Sequence, residues 1–250
     1  MNIACWGPVR RGGGVTSNII AISEICSSSF GLKVGLRSNH ICSNMVESYI
    51  STTREFGRVG EGTEVFSSPG NPDYLKYMLK YSEIFERKLF RGKQSVSRRQ
   101  SFTLYRPPEP GESPFIRDNK EDIFFLDTSG GNNISVFEAL EEADLRLIFL
   151  PGEIEAAIGC VNTYSNILER SMILINKGAN CPSFPLSRFQ SMFAIPNGQI
   201  AVIPRCDALM GACYRGEVDL MTRRIAESSE HADYLRKIRS ISKKLIALRH

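Results

Sequence analysis

A glycine-rich turn between a short apolar segment and a helical pattern limits what this chain can fold into. Residues 3–6 are apolar throughout and predict a buried strand, and Thr16 and Ser17 mark a helix start after three consecutive glycines. A turn of this kind directs successive backbone N–H groups and a helix N-terminus toward a phosphate. The order of strand, glycine turn and helix therefore predicts an α/β fold with an anion site after its first strand.

The turn departs from the usual phosphate loop at one position. That loop follows the pattern G-x-x-x-x-G-K-[ST], and Val15 stands where the pattern has lysine. We expect backbone N–H groups and a replacement arginine to hold the phosphates, because arginine makes forked contacts to phosphate and stays charged. The alternative is that the two arginines are solvated loop cations. The predicted phosphate-binding residues are Arg10, Arg11, Gly12, Gly13, Gly14, Val15, Thr16 and Ser17.

The remaining pattern favours a single α/β domain over residues 1–250. Short apolar runs alternate with helical patterns, which is typical of a mainly parallel sheet with helices on both faces. The predicted strands are 3–6, 33–37, 102–105, 123–126, 145–150, 172–175 and 200–203. The predicted helices cover about 17–29, 74–90, 133–142, 152–169, 211–228 and 231–248.

Cysteine usage and hydropathy indicate a cytoplasmic protein. The seven cysteines include no C-x-x-C pair, and the three histidines do not complete a metal-binding spacing. We therefore expect reduced thiols, as in a cytosol, rather than disulfides or a zinc site. No apolar run approaches the roughly 20 residues that cross a bilayer, and the chain begins with a strand rather than a signal segment. Any membrane contact is expected to be peripheral.

Residues 91–121 are the least regular part of the chain. The run 91–101 is basic and serine-rich, and the run 107–114 contains too much proline for a helix or a central strand. One interpretation is two surface loops around a strand, and the other is a basic interaction patch. The net charge of +4 would not by itself support strong nonspecific binding to nucleic acid, although local clusters could. The basic patch would consist of Lys88, Arg91, Lys93, Arg98 and Arg99.

The C-terminal segment 233–249 predicts an amphipathic helix with a basic surface. Its apolar residues form one stripe: Tyr234, Ile238, Ile241, Leu245 and Leu248. The segment has three interpretations, namely a last helix packed on the sheet, a basic helix on anionic lipid, and a short coiled-coil contact. We expect a packed helix that also touches a partner. The cations on its remaining surface are Arg236, Lys237, Arg239, Lys243 and Lys244.

A second chemical signal lies at residues 121–131. Four apolar residues lead into Asp127, and small residues with two glycines follow. A carboxylate at the C-terminal end of a parallel strand, beside a phosphate loop, can hold magnesium through water. The alternative is a strand that ends in an Asx-type turn. Because the glycine turn lies upstream, we predict that Asp127 holds Mg²⁺ through water.

Together these segments resemble the ParA/MinD group of deviant Walker-type ATPases. Thr16 and Ser17 match the two threonines of the pattern K-G-G-V-G-K-T-T, which puts Val15 on the phosphate lysine and Arg10 on the signature lysine. The run 122–131 resembles the Walker B strand, with Asp122 and Asp127 as its acidic ends. The resemblance implies a P-loop NTPase fold and bound ATP or ADP with Mg²⁺, which Thr16 holds together with Asp127. It also implies a homodimer in which Arg10 reaches the partner's nucleotide.

The resemblance continues into the second half of the chain. The run 172–178 is similar to the strand that ends at the adenine-contacting position, and 203–221 is similar to the element that follows the last strand. Base preference for adenine is therefore implied by the resemblance alone. The residues that it places near the base are Asn176, Pro204, Arg205 and Asp207.

The second predicted strand departs from the family. It is followed by Ser38, Asn39 and His40, where the family has aspartates that position the attacking water. His40 is either a substitute base or an exposed loop histidine. Without the lysine and this carboxylate, we expect slow or no hydrolysis, since each lost group typically costs on the order of 10²–10³ in rate.

Degenerate phosphate loops and a G-x-T-S-N helix start are similar to the TadZ/CpaE-like branch, which localises pilus assembly machinery. The resemblance implies a scaffold at a cell pole or assembly site, with protein partners in a localised machine and a contact with anionic membrane as one option. The alternatives are an active ATPase of the partition or cell-division type and a basic nucleic-acid-binding module.

Overall fold

A computed structural model of the chain describes residues 1–8, 14–39, 102–105, 108, 111–116, 120–128, 134–176, 184–215, 217–219, 221–222 and 231–249. Each of the predicted strands is present, within one residue at either end. The strands are β1 Asn2–Trp6, β2 Val34–Ser38, β3 Thr103–Tyr105, β4 Ile123–Asp127, β5 Leu145–Pro151, β6 Ser171–Asn176 and β7 Ile200–Ile203.

The strands form one sheet in the order β3-β2-β4-β1-β5-β6-β7. Every recorded pairing is parallel, and the register places Cys5 of β1 opposite Asp127 of β4. The central strands are apolar on both faces because helices cover both faces, as parallel sheets require. Chain order reverses around β1, and open α/β sheets bind ligands outside the carboxyl ends of strands at such a switch point.

Alternate residues of the strands supply two separate hydrophobic clusters. Ile3 and Cys5 face the cluster that contains the helices of residues 15–30, 207–215 and 232–247. Ala4 and Trp6 face the cluster that contains the helices of residues 134–142, 154–163 and 186–193. The predicted α/β fold with helices on both faces is therefore confirmed. The helices are α1 Val15–Phe30, α2 Ile134–Glu142, α3 Ile154–Thr163, α4 Leu186–Phe193, α5 Asp207–Arg215 and α6 Ala232–Ala247.

Two predicted helices have wrong limits, and one helix is absent from the prediction. The predicted helix 152–169 ends at Thr163, and a 3-10 turn, Ser165–Leu168, follows it. In place of the predicted helix 211–228, the structure has a helix that begins at Asp207 and ends at Arg215. Helix α4 was missed because its eight residues are too few to reveal a helical period. The predicted helix 74–90 lies outside the described residues.

The irregular segment contains a strand and an anchored turn. β3 pairs with β2, which fits the interpretation of loops around a strand. The buried guanidinium of Arg37 donates to the carbonyl oxygens of Ser113 and Pro114, both at 3.1 Å, and forms an ion pair with Glu112 at 3.1 Å. Residues 112–114 are thereby fixed to the end of β2. The predicted basic patch lies outside the described residues.

The C-terminal stripe is packed on the fold. Tyr234, Ile238, Ile241 and Leu245 are all buried in the cluster that includes α1, while Leu248 is exposed. This arrangement agrees with the interpretation of a last helix packed on the domain. Within the described part of the chain, no helix has the length and apolarity needed to cross a membrane.

Candidate functional site

The second half of the predicted phosphate loop lies at the start of α1. Gly14 adopts a left-handed conformation with φ of 69° and immediately precedes the helix, whose N-terminus carries no side-chain cap. The positive end of the helix dipole and its first N–H groups lie at this point. Arg10, Arg11, Gly12 and Gly13 lie outside the described residues, so their predicted contacts remain predictions.

The two predicted magnesium ligands are brought together. The Thr16 hydroxyl donates to Oδ2 of Asp127 at 2.6 Å, although 111 residues separate them in sequence. Thr16 is almost fully buried and Asp127 is fully buried. A hydroxyl and a carboxylate are the hard oxygen donors that Mg²⁺ prefers, and this ion commonly retains several waters. The donor chemistry therefore fits the predicted metal, although the described residues contain no group of three His, Cys, Asp or Glu side chains arranged to hold a metal ion.

The ends of β1 and β4 are joined by further hydrogen bonds. Thr128 donates to the carbonyl oxygen of Cys5 through both its hydroxyl, at 2.8 Å, and its backbone N–H, at 3.1 Å. Burial and, to a smaller extent, the charge of Asp127 raise the pKa of the Cys5 thiol well above its usual value. The Cys5 thiol therefore stays protonated beside the carboxylate. Because the thiolate is the form that binds metals or reacts, the protonated thiol does neither.

Val15 is a buried packing residue at the position of the missing lysine. Only 5% of it is exposed, and its Cγ2 lies 2.9 Å from where a β-carbon on Gly7 would stand. Gly7 therefore allows close packing between the end of β1 and the first turn of α1. At position 15 this site has an apolar contact instead of an ammonium group.

Polar side chains from three parts of the chain surround Gly14. Its carbonyl oxygen accepts hydrogen bonds from Asn18 Nδ2 at 2.7 Å and from the Ser17 hydroxyl at 3.3 Å. Asn18 Oδ1 in turn accepts a bond from the Tyr234 hydroxyl of α6 at 3.0 Å. Asn176 Nδ2 lies so close that a β-carbon on Gly14 would stand 2.2 Å from it.

Sequence reasoning missed the roles of Asn18 and Tyr234. The sequence places Asn18 only as the last residue of the G-x-T-S-N helix start, and Tyr234 only in the apolar stripe of the C-terminal helix. A usable signal was present for Tyr234, because a buried tyrosine usually finds a partner for its hydroxyl. An asparagine in the first turn of a helix is a further signal, because its side chain competes for nearby backbone groups.

The predicted base-binding residues lie at one edge of the sheet. Asn176 ends β6 opposite Ile203, and Pro204 and Arg205 follow β7 directly. The exposed Arg205 donates through Nε to Asp207 Oδ1 at 2.5 Å. Asn176 lies against the glycine of the phosphate turn, as described above. Binding of a base by these residues remains a prediction.

Asp122 lies at the opposite end of β4 from Asp127. It accepts a hydrogen bond from the backbone N–H of Lys33 at 2.9 Å and forms an ion pair with Arg249 at 2.7 Å. These contacts, the backbone bond first, lower the pKa of the Asp122 carboxyl. Its role is to join strand starts to the C-terminus, away from the phosphate turn.

The end of β2 presents polar atoms beside Asp127. Ser38 pairs with Asp127 in the parallel register, and the Asn39 N–H donates to the Asp127 carbonyl oxygen at 2.8 Å. Both side chains are buried, and neither the Ser38 hydroxyl nor Asn39 Nδ2 has a hydrogen-bond partner among the residues that the structure describes. Buried polar atoms without partners are uncommon and often occur at sites of function. His40 lies outside the described residues.

No protein-family model and no curated protein matches the chain. Solved structures do share its fold. A septum site-determining protein MinD from Pyrococcus horikoshii, solved with Mg-ADP, has a TM-score of 0.63 at 11% identity over 98% of this chain and 95% of that chain. A ParA family ATPase from Chlorobium tepidum has a TM-score of 0.60 at 14% identity, with 97% and 98% covered. At such identities the likeness establishes the fold, the P-loop α/β architecture of MinD and ParA proteins.

Proposed function

We propose that the chain is a nucleotide-binding localisation or scaffold protein that takes ATP or ADP with Mg²⁺ and hydrolyses ATP slowly or not at all. The observation that carries this proposal is the 2.6 Å bond from Thr16 to Asp127. It holds a hydroxyl and a buried carboxylate together beside a helix N-terminus, at the switch point of the sheet. The fold also occurs in a MinD protein solved with Mg-ADP.

In the proposed complex Thr16 and Asp127 would hold Mg²⁺, the carboxylate acting through water. Bound at this position, the ion would supply positive charge to the nucleotide phosphates. Backbone N–H groups of the first turn of α1 hold phosphate oxygens, as free helix N-termini do. Asn176, Pro204, Arg205 and Asp207 form the base side of this proposed site.

Slow hydrolysis follows from what surrounds the proposed phosphates. Val15 is an apolar, buried residue, so it offers no charge to the transition state. Ser38 at the end of β2 and Asn39 after it contribute a hydroxyl and an amide instead of a carboxylate. Each such loss typically costs on the order of 10²–10³ in rate. Nucleotide would then act as a ligand whose occupancy controls assembly.

The proposed output is a change in dimerisation and partner affinity. Arg10 is proposed to reach the nucleotide of a partner subunit, which links nucleotide occupancy to dimer formation by mass action. The finer proposal, localisation of a Tad-type pilus assembly machine in the cytoplasm, rests on the G-x-T-S-N resemblance. A contact with anionic membrane would depend on the cations of α6, because the four stripe residues within this helix are buried.

Titration calorimetry with ATP tests the proposal. Wild-type protein should bind ATP saturably with Mg²⁺ and more weakly with EDTA, and Asp127→Asn should weaken binding by about tenfold, roughly the effect of one charge-assisted contact. The matched control is Asp144→Asn, the same change at the opposite edge of the sheet, where Asp144 accepts a bond from the Asn2 N–H. The proposal is wrong if wild-type protein binds neither ATP nor ADP.

A second candidate function is an ATPase that turns over. It is favoured by the Ser38 hydroxyl and the Asn39 amide nitrogen beside Asp127, which have no hydrogen-bond partner within the described part of the chain and could orient a water or a phosphate oxygen. Steady phosphate release that Asp127→Ala abolishes and Ser38→Ala with Asn39→Ala slows would support turnover. Release at background level would exclude it and leave the scaffold proposal.

A further inference from the structure

A chain of buried hydrogen bonds connects the C-terminal helix to the phosphate turn. The Tyr234 hydroxyl donates to Asn18 Oδ1 at 3.0 Å, and Asn18 Nδ2 donates to the Gly14 carbonyl oxygen at 2.7 Å. Tyr234 is 2% exposed and Asn18 is 1% exposed, so water does not replace these bonds easily. We call these three residues the Tyr234 relay.

The relay contacts the backbone at Gly14, where the left-handed conformation and the neighbouring side chains both restrict the residue. Gly14 has a φ of 69°, and a β-carbon there would stand 3.0 Å from Asn18 Nδ2 and 2.2 Å from Asn176 Nδ2. The amide of Asn18 therefore both bonds the carbonyl of Gly14 and limits the space around it. Moving Asn18 would release the last residue of the turn and the first N–H groups of α1 together.

A hydroxyl on residue 234 has little other purpose at this position. The ring is packed in the cluster formed by α1, α5 and α6, where an apolar side chain would pack equally well. Burial first, then the nearby Cys206 and Cys213, raise the pKa of the tyrosine well above its usual value. The hydroxyl therefore keeps its proton and remains a donor at neutral pH.

The geometry points to Tyr234 as a positioning residue of the proposed nucleotide site, which acts through Asn18 and couples the C-terminal helix to the phosphate turn. This inference rests on the proposed function for its ligand, but the relay itself is a property of the described structure. Because coupling is reciprocal, an ordered helix favours the binding conformation of the turn, and bound nucleotide favours the ordered helix. A partner that binds α6 can thereby change nucleotide affinity without touching the nucleotide.

The first test needs no nucleotide. Hydrogen exchange is measured for peptides that cover residues 14–18 in wild type, Tyr234→Phe and the control Ile241→Val. The control removes one buried methyl group from the same helix and leaves the relay intact. Tyr234→Phe should speed exchange at residues 14–18 about fivefold, and Ile241→Val should leave that peptide within twofold of wild type. Equal effects of the two variants would overturn the inference.

The second test measures ATP affinity in a double-mutant cycle. Tyr234→Phe should weaken binding about fivefold in wild-type background and have no further effect in Asn18→Ala, because the hydroxyl acts through that amide. The inference would be overturned if Tyr234→Phe weakened ATP binding by the same factor in the Asn18→Ala background as in the wild-type background. A wild-type protein without nucleotide affinity would instead refute the proposed function, and the exchange experiment would still decide whether the relay holds the turn.

Discussion

Among the described residues, Val15 is the main departure from a standard phosphate loop, which has lysine at this position. Replacement by lysine should strengthen ATP binding about tenfold, because a charge-assisted bond to phosphate is added. The same change should lower the free energy of unfolding by about 1–2 kcal/mol, because the buried packing of Val15 on Gly7 is lost. Calorimetry and urea unfolding measure the two effects.

Val15→Met is the matched control for this prediction. Methionine supplies a long unbranched stem without a charge, so it should reproduce the change in unfolding and leave ATP affinity near wild type. Equal affinities of the lysine and methionine variants would mean that the turn does not present phosphate to position 15.

Asp122 gives a pH-dependent prediction at the residue scale. Its pKa is lowered in the fold, first by the Lys33 N–H bond, so its contribution is present above the unfolded value of about 3.9 and is lost as pH falls through the folded value. Asp122→Asn should be less stable than wild type by about 1 kcal/mol at pH 7. The difference should shrink as the pH falls below about 4.

Urea unfolding between pH 7 and pH 3 measures this difference. Arg249→Gln removes the ion pair and keeps the backbone bond, so it should show the smaller effect at pH 7. A gap between wild type and Asp122→Asn that stays constant over this pH range would contradict the assignment.

At the scale of the element, α1 offers a comparison between its two ends. Gly14 and Gly31 flank the helix with φ of 69° and 67°, but a β-carbon would meet Asn176 and Asn18 at the first and open space at the second. Gly31→Ala should cost about 1–2 kcal/mol of unfolding free energy for its conformation alone. Gly14→Ala should cost more, because it must also displace the two amides.

Urea unfolding of both variants separates conformation from contact. Gly14→Ala should additionally weaken ATP binding, whereas Gly31→Ala should not, because it lies at the distant end of the helix. Equal costs for the two substitutions would show that the amides move away freely from Gly14.

The elements differ in how well the sequence predicts them. The strands are short apolar runs bounded by polar residues, and a parallel sheet buried on both faces requires that pattern, so all the described strands were found. Helix α4 has too few residues for a period. The Thr16–Asp127 pairing was predicted through the resemblance, but the Tyr234 relay joins residues 216 positions apart and needs three-dimensional packing to be seen.

At the scale of the whole molecule, the sheet order explains why the site depends on the entire fold. Thr16 follows β1, Asp127 ends β4 and Asn176 ends β6, and these strands come together only when the chain between Trp6 and Ser171 has formed its parallel crossovers. Such long-range contacts form together in cooperative folding. Nucleotide that binds this site should therefore stabilise the molecule as a unit.

A thermal-unfolding series tests the proposed link between nucleotide and dimer. ATP at about 100 times its Kd should add about 2.7 kcal/mol of stability and raise Tm by several degrees. If nucleotide also drives dimerisation, Tm in the presence of ATP and Mg²⁺ should rise with protein concentration, and Tm without nucleotide should not.

Arg10→Ala should remove the concentration dependence and keep most of the shift at low protein concentration, because it is proposed to act across the dimer. Arg170→Ala is the control and should retain both, because this exposed arginine precedes the start of β6, at the end of the sheet away from the phosphate turn. A concentration-independent Tm for wild-type protein with ATP would refute the nucleotide-dependent dimer, and sedimentation of the same samples would show a monomer.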